Sequence, residues 1–259
     1  MSNSILIEDK GAVRVITLNR PKAFNSFDRT MGKTFQEALD AAGQDDSVRC
    51  IVIKGEGRAF CAGQDLKEVT APDAPDFRVI VEETYNQSIK RICSIKKPII
   101  AAVNGVAAGA GANIALACDL TIATESASFI QAFSKIGLIP DSGGTYWLPR
   151  LVGMQRAKAM AFFGNKVSAQ EAESIGLIYK SIADENFDAA VEKTSSQLAA
   201  MPTLALGLTT AAFHEGMDND LDAQLKTELE YQFIAAESND YKEGVNSFLV
   251  KRAPEFKGN

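Results

Sequence analysis

The stretch PIIAAVNGVAAGAGANIALACDL, residues 98–120, decides how the rest of the chain is read. Its first half, 98–105, is a β-branched and alanine run suited to a buried strand. Glycine and alanine then cluster, and small residues continue at helical spacing from Gly109 to Ala117. DLTIATE, 119–125, reads as the next strand. Strand, small-residue turn, helix and strand in this order make the repeating unit of a layered α/β body.

Upstream, AVRVITLN (12–19) and VRCIVIKG (48–55) read as buried strands, and RTMGKTFQEALDAAG (29–43) between them carries apolar residues at helical spacing. That order implies a right-handed crossover. A further helix is expected over 76–95, after TAPDAPDF (70–77), a loop with two prolines. Downstream of Gly143 the character changes. Segments 143–164, 168–175, 184–200, 203–215, 219–237 and 241–250 read as helices, with LIYKSI (177–182) as the only strand. The helices after about residue 200 are amphipathic and have no core of their own, so their apolar faces need the main body or another subunit.

At 259 residues, 46% hydrophobic and 23% charged, the chain has the composition of a folded soluble protein. Its net charge of −6 and pI near 5.0 argue against a large nucleic-acid footprint, which needs a basic face. No apolar run approaches the roughly 18 residues that span a bilayer. MSNSILIEDKGAV, at the start, lacks the basic and apolar regions of a secretory signal, which points to the cytoplasm. Cys50, Cys61, Cys93 and Cys118 fit neither a CxxC metal motif nor a dense disulfide framework and read as reduced core thiols.

Two glycine-bearing loops follow strands and can offer backbone N–H groups to a ligand. In GRAFCAGQDL (57–66), Gly63 permits geometry that frees the Gln64 N–H. In NGVAAGAGANIALACD (104–119), the first turn of a helix leaves N–H groups without partners. Facing one point, the two form an oxyanion hole. Taken singly, they also read as an ordinary turn and a tightly packed helix. Neither matches GxGxxG or GxxxxGK[ST].

KIGLIPDSGGTYWLPRLVG (135–153) holds one carboxylate, Asp141, which is either an acid/base or the cap of the following helix. Local sequence favours the cap. His214, the only histidine, lies late in a tail helix and suits a surface or helix-end role, and Tyr146 and Trp147 suit helix anchoring. GxSxG is absent, which argues against a serine hydrolase.

Together, GRAFCAGQDL, residues 98–120, FIQAFSKIGLIPDSGGT (129–145) and VSAQEAESIGLI (167–178) resemble the crotonase, or enoyl-CoA hydratase/isomerase, superfamily over about residues 4–256. The resemblance implies an α/β fold, a crotonase-type spiral of ββα units over 1–200, with a helical region at 201–259 that builds homotrimers or dimers of trimers. It implies an acyl-CoA thioester substrate, with no cofactor beyond the coenzyme A of the substrate, no metal, and no nucleic-acid or membrane partner. An enolate-like anion is then held by the N–H groups of Gln64 and Ala110, the latter at a position commonly occupied by glycine. Backbone at Ala62, Gly63 and Asp65 meets the adenine and pantetheine arm, Gly109 adjoins the second donor, and Lys22 is the candidate for the CoA phosphates.

Hydratases of this type carry glutamates at the positions of Asn113 and Phe133, and neither residue present can act as a base. Hydration is therefore not expected; Asn113 and Phe133 are assigned to shaping the pocket. Asp141 becomes the base, its pKa raised by an apolar surrounding, while Ser142 supplies the cap. The segments 129–145 and 240–258 look most like isomerases that convert ring-1,2-epoxyphenylacetyl-CoA to oxepin-CoA. A Δ3,Δ2-enoyl-CoA isomerase uses the same residues. A dehalogenase-like enzyme, which has tryptophan at the position of Phe133, and an RNA-binding relative fit less well.

Overall fold

Two sheets organise the computed structural model, which describes residues 4–259. Residues 1–3, the start of the N-terminal stretch and of the 1–200 assignment, lie outside the described residues. In chain order the strands are β1 (Ile5–Lys10), β2 (Val13–Leu18), β3 (Cys50–Gly55), β4 (Ala59–Cys61), β5 (Ile99–Val103), β6 (Val106–Ala108), β7 (Leu120–Thr124), β8 (Ser128–Ile130), β9 (Lys166–Ser168) and β10 (Lys180–Ile182). The larger sheet runs β1-β2-β3-β5-β7-β10, and the smaller β4-β6-β8-β9. All neighbours are parallel except the β1/β2 and β8/β9 pairs.

The chain alternates between the sheets. A strand of the large sheet is followed by a short strand of the small one and then by helix: β3 and β4, then β5 and β6, then β7 and β8. This is the ββα spiral that the resemblance implied. Reading by periodicity found β2, β3, β5 and β7 but missed the six-residue β1, whose second half is polar, and missed β4, β6 and β8, because three residues carry no period to detect.

Both faces of the large sheet are covered, as a parallel sheet requires. Ile16, Leu18, Ile51, Ile53, Ala101 and Val103 point into the main core, whereas Val13, Val15, Cys50, Val52, Ile100 and Ala102 pack with Phe187, Val191 and Ala199. Each fully buried Ile or Leu here contributes about 1.5–3 kcal/mol. Helix Arg29–Gln44 starts at Asp28, whose carboxylate accepts the Met31 N–H at 2.8 Å, and buries Met31, Phe35 and Leu39.

Three expectations need correction. The stretch 143–164 is two helices, Gly144–Val152 and Met154–Phe163, broken at Gly153. LIYKSI is not the only late strand, since β9 pairs antiparallel with β8, and the observed strand in LIYKSI is the shorter β10. The stretch 76–95 is helical but includes a π-helical segment, Ile80–Asn86, between Phe77–Val79 and Gln87–Ser94.

The tail comprises helices Thr203–Gly216, Leu221–Glu237 and Asn239–Leu249. Arg49 fastens it to the main body, donating to Thr203 Oγ1 at 3.0 Å, the Phe256 carbonyl at 2.7 Å and the Met201 carbonyl at 2.5 Å. Helix Leu221–Glu237 has no buried residue, and Leu225, Leu229 and Phe233 stand exposed along it. No helix among the described residues is long and apolar enough to cross a membrane.

Candidate active site

Because β4, β6 and β8 lie side by side and parallel, the loops leaving their C-terminal ends emerge together. The first is the Ala62–Asp65 loop, the second leads through Gly109 into helix Ala110–Leu116, and the third carries Phe133 and leads on to Asp141. Three motifs distant in sequence thereby surround one cavity of about 240 Å³. Asp141, Gln64, Ala110, Ala62, Gly63, Gly109 and Phe133 all line it.

Backbone pairing frees the two donors. Phe27 forms a parallel bridge with Gln64, in which the Phe27 N–H donates to the Gly63 carbonyl at 2.7 Å and the Asp65 N–H to the Phe27 carbonyl at 2.8 Å. The Gln64 N–H lies between these two bonds along the strand and so faces away from Phe27. Ala110 is the first residue of its helix, where no intrahelical acceptor exists for the N–H. Gly63, at φ +88°, is the point of closest approach: a Cβ there would stand 3.0 Å from the Ala108 carbonyl oxygen and 3.4 Å from the Ala110 nitrogen. Only glycine fits both that dihedral and that space.

Asp141 opens a tight turn. Its carbonyl accepts the Gly144 N–H at 2.8 Å, with Ser142 at φ +51° and Gly143 at φ +75° between them, the pattern of a type I′ turn. Helix Gly144–Val152 has Gly143 at its N-cap and no side-chain cap. The cap assignment to Ser142 is thus overturned, and the local cap reading of Asp141, set aside in favour of the base, does not hold either. Ser142 is instead buried in a left-handed conformation, and its hydroxyl donates to Asp141 Oδ1 at 2.9 Å. Burial pushes the Asp141 carboxyl above the ordinary carboxylate range, and the Ser142 hydroxyl opposes that rise in part.

A carboxylate whose pKa is raised by burial, sharing a cavity with two backbone donors, has the groups that proton transfer beside a carbonyl needs. The family model described as enoyl-CoA hydratase/isomerase matches residues 8–259.

The chain belongs to the enoyl-CoA hydratase/isomerase family.

It is 45% identical over 262 residues to a 1,2-epoxyphenylacetyl-CoA isomerase of Escherichia coli, covering 100% of each chain. It is 44% identical to a probable enoyl-CoA hydratase of Rhodobacter capsulatus, covering 99% of this chain and 98% of that one. The crystal structure of an enoyl-CoA hydratase from Bacillus anthracis superposes with a TM-score of 0.94 at 32% identity, covering 99% and 100% of the two chains. This enoyl-CoA hydratase/isomerase family member therefore has relatives of both reaction types at similar identity, and its own site residues must discriminate between them.

Three assigned residues are not on the cavity wall. Asn113 is fully buried behind it, donating from Nδ2 to the Asp141 carbonyl at 2.8 Å and accepting from Gln131 Nε2 at 2.8 Å. Asp65 caps the short helix Leu66–Val69, pairs with Arg20 at 2.7 Å, and spends its N–H on Phe27. Lys22 is exposed in the turn Pro21–Ala23, a segment joined to the site where the Phe24 carbonyl accepts the Ala62 N–H at 3.0 Å.

Several wall residues went unrecognised in the sequence. Tyr85 lies in the π-helical segment, and its hydroxyl donates to Gln64 Oε1 at 2.9 Å, while Gln64 Nε2 donates to Glu68 Oε2 at 2.9 Å. Burial holds the Tyr85 phenol well above its ordinary pKa. Lys135 and Tyr85 are the titratable side chains that share the wall with Asp141. Apolar Leu66, Phe77, Ile80, Val81, Ile136 and Leu138 complete it. A π-helical segment was the available signal, and sequence periodicity does not report it. His214 sits in the last turn of its helix beside Trp147, with ring centroids 5.4 Å apart, in keeping with its helix-end assignment.

Proposed function

We propose that this chain is an acyl-CoA isomerase that converts ring-1,2-epoxyphenylacetyl-CoA to oxepin-CoA. The observation that carries the reading is that Asp141 is the one carboxylate on the cavity wall among the described residues, opposite no second acid or base of the hydratase kind. Hydration needs one group for the water and another for the α-proton; moving a proton within one substrate needs a single group. The similarity to a 1,2-epoxyphenylacetyl-CoA isomerase along the whole chain supports this substrate.

Asp141, as the carboxylate, takes the proton from the carbon next to the thioester carbonyl. The C–H electron pair moves onto the carbonyl oxygen, where the Gln64 and Ala110 N–H groups bind the negative charge. Asp141, now the acid, returns the same proton to a carbon further along the conjugated system while the carbon–carbon bond shared by epoxide and ring opens. No atom is gained or lost, and no cofactor enters beyond the coenzyme A of the substrate. The broad wall of Phe77, Ile80, Val81 and Phe133 suits a ring. A Δ3,Δ2-enoyl-CoA isomerisation would use the same base, and the exposure of Ile136 and Leu138 leaves the wall open on that side for a straight chain. For the CoA phosphates the candidate cations are Lys22 and Lys135, of which only Lys135 lines the cavity.

Product analysis tests the reading. Offered ring-1,2-epoxyphenylacetyl-CoA, a cis-3-enoyl-CoA and crotonyl-CoA in turn, the enzyme is expected to isomerise the first fastest and to leave crotonyl-CoA unhydrated. Rapid formation of 3-hydroxybutyryl-CoA from crotonyl-CoA would refute it.

A further inference from the structure

The amide behind the cavity has a use that its burial alone does not explain. Asn113 and Gln131 are 0% and 1% exposed, in a place where leucine would fill the same space without polar atoms to satisfy. Their hydrogen bonds run in one direction. Gln131 Nε2 donates to Asn113 Oδ1, and Asn113 Nδ2 donates to the Asp141 carbonyl oxygen, each at 2.8 Å. The Asp141 carbonyl can only accept, which sets Nδ2 toward the turn. The Gln131 Nε2 donor facing Oδ1 holds the Asn113 amide that way round, while Gln131 Oε1 is buried without a partner.

We propose that Asn113, oriented by Gln131, is a positioning residue that fixes the Asp141 carboxylate at a set distance from the Ala110 N–H. This rests on the reading of Asp141 as the base.

Helix Ala110–Leu116 makes the connection. Its first residue supplies the oxyanion donor, and Asn113, three residues on and about 4.5 Å along the axis, holds the base turn. Donor and base are thus referenced to one rigid element. The segment leaving β8 braces both: the Ile130 carbonyl accepts the Gly109 N–H at 2.9 Å, and the adjacent Gln131 orients Asn113. Gly144 lets the turn sit on the amide, because a Cβ there would come within 2.3 Å of Asn113 Nδ2. A carboxylate at position 113 has no N–H for the Asp141 carbonyl. Asparagine here is accordingly more than the absence of a hydratase glutamate.

The test is the pH dependence of α-proton exchange on the acyl-CoA in deuterated water, for wild type, Asp141→Asn, Asn113→Leu and Gln131→Leu. Thermal melts accompany each to confirm folding. Asn113→Leu is expected to lower kcat about 10- to 100-fold with KM within about threefold, the cost of misplacing a catalytic group by about 1 Å. Its ascending pH limb should move to lower pH, because a displaced Asp141 carboxyl regains water. Gln131→Leu should shift both in the same direction by less, and it decides the matter if Asn113→Leu fails to fold. Folded variants with normal kcat, or with reduced kcat and an unmoved limb, would overturn the positioning role. Retention of exchange by Asp141→Asn would instead overturn the reading of the base, whatever the other variants do.

Discussion

At the scale of single residues, Asp141 joins a cost in stability to a use in chemistry. Its folded pKa lies above that of the unfolded chain because burial disfavours the charged form. Between those two values the folded state holds the extra proton, so stability falls as pH rises through that window and stays lowered above it. Asp141→Asn removes the charge and should raise Tm at neutral pH by about 2–4 °C, the shift that about 1 kcal/mol gives in a chain of this size. The gain should vanish as the pH falls below the ordinary carboxylate range, and a lower neutral Tm would contradict the desolvation account. Gly63 shows the opposite balance. Gly63→Ala would force a side chain into φ +88° and toward the Ala110 nitrogen, and should lower kcat about 10²- to 10³-fold, comparable to losing an oxyanion donor. Steady-state kinetics would report it, and an unchanged kcat would remove Gly63 from the site. Seven of the assigned residues line the cavity; the glycine loops drew attention to Gly63, Gln64, Gly109 and Ala110, whereas Phe133, and Asp141 as the base, were reached only through the resemblance. The role of Asn113 was not legible in sequence, since it depends on a hydrogen bond to a carbonyl 28 residues away. The Ser142 cap was misread for a related reason: PDSGG looks like a helix start, but the helix begins at Gly144 after a left-handed turn that composition alone does not distinguish.

At the scale of elements, three-residue strands govern the site. β4, β6 and β8 each deliver one motif to the cavity, yet none was visible to periodicity, whereas the six-residue strands β2 and β3 were plain from their β-branched runs. The legible part of the fold is its core, and the part that assembles the site is too short to be read. The π-helical segment Ile80–Asn86 behaves similarly, bringing Ile80, Val81 and Tyr85 to the wall. Tyr85→Phe would remove the hydroxyl that binds Gln64 Oε1 in a buried setting, and should cost about 1 kcal/mol of stability. Urea denaturation at fixed pH would measure it, and an unchanged midpoint would show that the bond contributes nothing.

At the scale of the whole molecule, the exposed faces of the tail call for a partner. Leu221, Leu225, Leu229 and Phe233 recur every four residues on a helix with no buried side chain, and Phe248 and Leu249 are 83% and 73% exposed nearby in the chain. An apolar groove of about 840 Å³ lies among the tail helices, lined in part by Leu204, Val245 and Phe248. Contiguous apolar surface of this kind marks an interface, and we propose that it joins copies of this chain into trimers or pairs of trimers. Light scattering should give a multiple of three times 27.8 kDa, and Leu229→Glu should shift the mass downward; a monomeric wild type would refute the assembly. The expectation that the tail helices are amphipathic holds for Asn239–Leu249 but not for Thr203–Gly216 and Leu221–Glu237, whose apolar residues are spread around the helix. The Arg49 clasp that fastens the tail was not legible, since it spans more than 150 residues. The account as a whole stands on one proton. The most direct measurement is the rate of α-deuterium incorporation into the acyl-CoA substrate in deuterated water, comparing wild type with Asp141→Asn at equal saturation. The account predicts rapid incorporation by wild type and a loss of about 10²- to 10⁴-fold in the variant, the usual worth of a positioned general base. Undiminished incorporation by Asp141→Asn would contradict it.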